Sequence, residues 1–113
     1  MKPQADAVRA LAALPSLGRT SAEMLIEAGV ESPEALRAMG AVEAFARLRF
    51  AHGRRVTTNF LYALDIAIRG VHWRDLSDAR MAELRAAAED VKARQIAMAQ
   101  TSTTNVLRLK AKR

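Results

Sequence analysis

The stretch Leu14-Pro15-Ser16-Leu17-Gly18-Arg19-Thr20-Ser21-Ala22 constrains the fold more than any other part of the chain. A residue before proline is pushed out of the helical region, so Leu14 closes whatever helix precedes it. Gly18 admits backbone conformations that a side chain would forbid. Ala22 and Leu25 then open a new apolar stripe, so the chain must turn sharply between two helices. The first amides of the second helix have no partner within it and favour an anion.

The remaining punctuation is also helical. Pro3 suits a first helical position, and Val8, Leu11 and Leu14 predict a short helix over residues 4–14. A second helix carries Ala22, Leu25 and Ile26 and stops at Gly29. Ser32 before Pro33 is an N-cap signal for a short helix through Leu36, ended by Gly40. Val42, Phe45, Leu48 and Ala51 mark a helix over 41–51, closed by Gly53. From a cap at Thr57 or Thr58, Phe60 to Ile68 is apolar nearly all round, which places that helix in the interior as far as Gly70. The connector Val71–Leu76 holds the lone tryptophan, Trp73, expected to fold back on the core. Ser77 caps a long last helix whose seam of Met81, Leu84, Ala88, Val91, Gln95 and Met98 is heptad-like. Thr101–Thr104 is expected to break it and leave a basic tail of Arg108, Lys110, Lys112 and Arg113. No segment alternates with period two, so the expected fold is all-α: a small helix-hairpin-helix-like bundle with a long C-terminal helix. Leu14-x-x-Leu17-Gly18-x-x-x-Ala22 recurs 22 residues later as Leu36-x-x-Met39-Gly40-x-x-x-Ala44. That echo reads either as a tandem pair of hairpins or as two helix ends with glycine stops.

Length and composition narrow the function classes. The 113 residues suit one modest core, without cysteine for a disulfide or a thiolate zinc site. Two histidines, His52 and His72, are too few for a metal cluster, and no metal or cofactor is expected. There is no apolar leader and no run long enough to span a bilayer, so a cytoplasmic protein without membrane contact is expected. Residues 1–46 hold four Lys/Arg against six acids, residues 47–113 fourteen against six. A basic half of this kind suits a polyanion. The 14 arginines against four lysines, with 24 alanines, are also what a GC-rich coding sequence yields. No nucleophile beside a base, carboxylate pair or nucleotide-binding phosphate loop is present, so an enzyme is not expected.

Leu14–Ala22, then Ala28-Gly29-Val30-Glu31-Ser32-Pro33-Glu34-Ala35-Leu36 through Phe45, then Asn59–Leu64 and His72-Trp73 resemble the C-terminal domain of TfoX/Sxy proteins. The resemblance covers roughly residues 10–88. It implies an all-α, helix-hairpin-helix-like, non-enzymatic domain tied to the regulation of competence and DNA transformation. Two departures mark this chain: the separate N-terminal α/β domain of full-length members is absent from it, and residues 89–113 extend past the usual end. The expected organisation is therefore a helical domain over 1–88 and an extension over 89–113.

Two surfaces are candidates for nucleic-acid phosphates. The first is the turn Ser16, Leu17, Gly18, Arg19, Thr20 and Ser21, acting through amides with two hydroxyls and one cation. Ser16 stands where such hairpins usually have a glycine, so the turn is either a phosphate clamp or a packing corner. The second is the acid-free run Arg47, Arg49, His52, Arg54 and Arg55, with Arg54 and Arg55 in a loop. It reads either as a phosphate-binding face or as a solvated one. DNA is the expected partner, contacted through its backbone. The alternative is a protein–protein interaction domain with structural hairpins, associating with another protein or with itself through the helix 78–100.

Overall fold

The computed structural model describes the backbone of residues 3–111 and the side chains of residues 5–99. Six helices follow one another: α1 (Pro3–Ala12), α2 (Arg19–Glu27), α3 (Pro33–Met39), α4 (Ala41–His52), α5 (Thr58–Arg69) and α6 (Asp78–Ala111). Single 3-10 turns, Gly53–Arg55 and Trp73–Asp75, join α4 to α5 and α5 to α6. Among the described residues there is no strand, and the fold is all-α.

The caps read from the sequence hold α3 and α6 in place. Ser32 Oγ accepts from the amide of Ala35 at 3.0 Å, and Ser77 Oγ from that of Arg80 at 3.1 Å. At the end of α5, Gly70 takes the left-handed conformation (φ 68°), which turns its amide and that of Val71 onto the Ile66 carbonyl. A residue with a Cβ would be strained there. Gly40 (φ 85°) is at once the end of α3 and the cap of α4. The 22-residue echo thus falls on two like junctions: Gly18 O accepts from Ala22 N at 3.0 Å, Gly40 O from Ala44 N at 3.1 Å. The two differ in length. Six residues separate α1 from α2, whereas Gly40 alone separates α3 from α4.

The core gathers around α4, which touches α2, α3, α5 and α6. Ala44, Phe45 and Leu48 are fully buried in one cluster with Leu25, Leu36, Leu61 and Leu64. Each leucine or phenylalanine among them contributes about 1.5–3 kcal/mol on burial. α5 is buried on most of its circumference, as its composition requires: Leu61, Tyr62, Leu64, Ile66 and Ala67 are all inside. Among them lies Asp65, its carboxylate gripped by Arg80 of α6 at 2.8 Å and by Arg69 at 3.3 Å. That clasp fixes where α6 begins.

Two expectations are corrected. Trp73 is not core: it is 48 % exposed and stands edge-on to Tyr62, ring centres 6.4 Å apart. The 3-10 turn that carries it is held by its own ends, with Asp75 Oδ2 accepting from His72 N, and needs no buried anchor. α6, moreover, does not break at Thr101–Thr104 but stays helical to Ala111. Threonine costs only a few tenths of a kcal/mol in a helix, and no glycine or proline is there to stop it. Lys112 and Arg113 lie outside the described residues. The α6 seam docks on its own domain through Leu84, Ala88, Val91 and Gln95, whose amide donates to the Ala46 carbonyl at 2.9 Å. Beyond that point Ile96 and Met98 are exposed. No described helix is long and apolar enough to cross a membrane.

Candidate nucleic-acid interface

The turn between α1 and α2 is both a corner and an open helix start. Leu17 is buried, 6 % exposed, and pins the corner to the core. Ser16 has a positive φ of 66°, the conformation for which such turns ordinarily use glycine. Its hydroxyl points inward and donates to the Ala63 carbonyl of α5 at 2.7 Å. Ser16 therefore ties the turn to the buried helix, and its hydroxyl is engaged.

The start of α2 is different. Gly18 caps it without a side chain, and no hydrogen bond among the described residues engages the amides of Gly18, Arg19, Thr20 or Ser21. Gly18, Arg19 and Thr20 are exposed. These donors lie at the positive end of the helix without an acceptor among the described residues. The charge around them is mixed. Arg19 Nε pairs with Glu23 at 3.1 Å, and the cleft between α1 and α2 is lined by Glu23 and Glu27 beside Arg9 and Arg19.

The geometry gives Ser16 a test. Ser16→Ala keeps the strained backbone and loses the bond, so it lowers the unfolding free energy by about 1 kcal/mol. Ser16→Gly loses the same bond but relieves about 1 kcal/mol of strain, so it unfolds near the parent in urea. Equal losses for the two variants would refute the strained-anchor account.

The arginine run separates into different tasks. Arg47 pairs with Glu43 at 3.7 Å, Arg49 Nη1 donates to the Val56 carbonyl at 2.8 Å, and His52 Nε2 is 3.2 Å from the Met24 carbonyl. Arg54 and Arg55 are exposed on the 3-10 turn with no partner among the described residues. Among the described residues, no hydrogen bond or ion pair joins them to Ser16–Ser21. A cation missed by sequence reasoning lies near Arg54. Lys92 of α6 reaches the start of α5, where its Nζ donates to Thr58 Oγ1 at 3.2 Å. No local pattern could reveal it, because 34 residues separate the pair.

Comparison with known proteins now decides the family. The model of the TfoX C-terminal domain matches residues 7–88. The chain belongs to the TfoX C-terminal domain family. The match ends inside α6, one turn before Val91 docks. Two crystal structures from Listeria monocytogenes are similar to it. One, an uncharacterised protein in a triclinic form, is 33 % identical with a TM-score of 0.68, covering 73 % of this chain and 92 % of its own. The other, a protein of unknown function in a tetragonal form, is 32 % identical with a TM-score of 0.67, covering 71 % and 98 %. Among curated proteins, none matches the chain.

Proposed function

We propose that this TfoX C-terminal domain is a non-enzymatic, cytoplasmic nucleic-acid-binding module with a regulatory role in competence and transcription. It grips DNA through backbone phosphates, largely without sequence preference. The observation that carries the reading is the pairing of four unengaged amides at the start of α2 with two free guanidinium groups, Arg54 and Arg55, elsewhere on the surface. Both are phosphate-binding chemistry, and neither reads base edges.

The test is fluorescence anisotropy with labelled duplex and single-stranded DNA between about 50 and 200 mM salt, the range in which phosphate contacts weaken strongly. Each phosphate neutralised adds about 0.9 to the salt slope, so Arg54→Gln with Arg55→Gln flattens it by about 1.8. Affinity weaker than the ~10⁻⁴ to 10⁻⁶ M of ordinary non-specific binding would end this reading.

A second reading is supported by the cleft of about 850 Å³ between α4 and α6, where Phe50 is 85 % and Met98 65 % exposed. There the chain would associate with another protein or with itself. Light scattering of the parent and of Phe50→Ser checks self-association, since only an apolar interface is lost with that ring.

A further inference from the structure

The start of α5 lines a shallow, open depression of about 560 Å³ whose lining includes Arg49, Arg54, Thr57, Thr58, Asn59 and Lys92. Three cations contribute to this lining, and no carboxylate does. They come from three separate elements: Arg49 from α4, Arg54 from the 3-10 turn and Lys92 from α6. Only the tertiary fold brings them together, so their meeting is not a property of a single charged run. We propose that this cleft is a phosphate-binding site, seating one phosphate group among Arg54, Lys92 and the first amides of α5. The proposal deepens the nucleic-acid reading above, because it shares Arg54 with it, but it needs nothing from the turn at Ser16–Ser21.

Three further features fit a phosphate oxyanion. Thr57 occupies the cap position of α5 without capping it, and among the described residues nothing engages the amides of Thr58 and Asn59. A phosphate oxygen supplies the missing acceptor. Arg49, which also lines the cleft, has a buried Nε–H without a partner and so adds an unsatisfied donor to this positive corner. Lys92 is held over the helix start by Thr58 Oγ1, pre-positioned as a point charge. Among the described residues, the carboxylate that pairs with Lys92 is that of Glu89, at 3.6 Å and 68 % exposed. Its removal should free Lys92 for the ligand. That sign separates a phosphate site from a merely structural lysine.

The experiment is an amide NMR titration of the full chain, in phosphate-free buffer at constant ionic strength, with inorganic phosphate in one arm and a short DNA duplex in the other. Saturable shifts at Thr58 and Asn59 with inorganic phosphate are expected, and potassium chloride at the same ionic strength leaves them unmoved. Lys92→Gln and Arg54→Gln each weaken the inorganic phosphate affinity about tenfold, the scale of one charge-assisted hydrogen bond. Glu89→Gln tightens it about twofold, the scale of an exposed ion pair. Arg54 is on the surface, so its variant reports the site even where Lys92→Gln loosens the α5–α6 contact. Shifts at these amides with both ligands support the site as a nucleic-acid contact. Shifts with inorganic phosphate alone support the site and count against the nucleic-acid reading. Duplex shifts at residues 18–21, with Thr58 and Asn59 unmoved by either ligand, keep the nucleic-acid reading and overturn the site. So does a Glu89→Gln variant that binds phosphate no better than the parent.

Discussion

Phe45→Ala lowers the unfolding free energy by about 3–5 kcal/mol. Phe45 has no exposed surface and sits on α4, the helix that touches four others. Its ring fills space between helices that cannot all move inward at once, because α3 is tethered to α4 through the single residue Gly40. The cavity left by alanine therefore stays largely open, and the cost lies toward the upper part of that range. Domains of this size have about 5–15 kcal/mol in all, so the variant retains a fraction of the parent's stability. Urea unfolding followed by the fluorescence of Trp73, half-exposed against Tyr62, measures the loss as a lowered midpoint with an unchanged slope. Phe50→Ser is the control. That ring is 85 % exposed five positions along the same helix, and its loss should fall within about 0.5 kcal/mol. A Phe45→Ala variant that unfolds with the Phe50→Ser control would show that α4 is not the centre of the core.

These two phenylalanines also mark what the sequence could and could not convey. The stripe Val42, Phe45, Leu48, Ala51 is audible in the period of the chain, and the structure buries Phe45 and Leu48 fully but leaves Ala51, at the end of the helix, exposed. Helix ends were equally legible, since Ser32, Ser77 and Gly70 act through chemistry local to a few residues. Family resemblance came through for the same reason, being carried by turns and caps in fixed order. What stayed hidden was set by partners distant in sequence. Ser16 reads as a candidate phosphate contact, yet its hydroxyl goes to Ala63, 47 residues away. Gln95 reads as one position of a heptad-like seam, yet it donates to Ala46 of the chain's own α4. The acid-free arginine run reads as one surface, yet Arg47 pairs with Glu43 one turn back on its own helix and Arg49 donates to the Val56 carbonyl. Periodicity says which face is buried; it does not say against what.

Asp65 is another residue that only tertiary contacts explain, and it supports the second large prediction. Burial on its own pushes its carboxyl up, but the hydrogen bonds and charge of Arg80, and then those of Arg69, hold it below the ordinary carboxylate value. Arg80→Ala removes the two-pronged grip, Nη2 to Oδ1 at 2.8 Å and Nε to Oδ2 at 3.3 Å, and leaves the buried carboxylate to Arg69 alone. Breaking a buried pair costs about 3–5 kcal/mol; with Arg80 itself 39 % exposed, screening reduces this to about 2–3. The pH dependence carries the sign. A carboxyl whose folded pKa is depressed supplies its stability in full above its unfolded value, about 3.9, and loses it as the pH falls through the folded value. In Arg80→Ala the larger share of the depression is lost, only that from Arg69 remaining, while burial still penalises the charge. Parent and variant should therefore differ most near pH 7 and converge in acid only once the pH has fallen through the parent's depressed folded value, where Asp65 is protonated in both. Asp65→Asn should cost less at pH 7 than Arg80→Ala, because the two arginines it strands are 39 % and 45 % exposed and can hydrate, whereas a stranded Asp65 cannot. Urea midpoints of the three proteins at neutrality and in acid check the ordering. A gap between parent and Arg80→Ala that is as wide in acid as at neutrality would mean that Arg80 holds α6 to α5 by packing of its stem and not by charge.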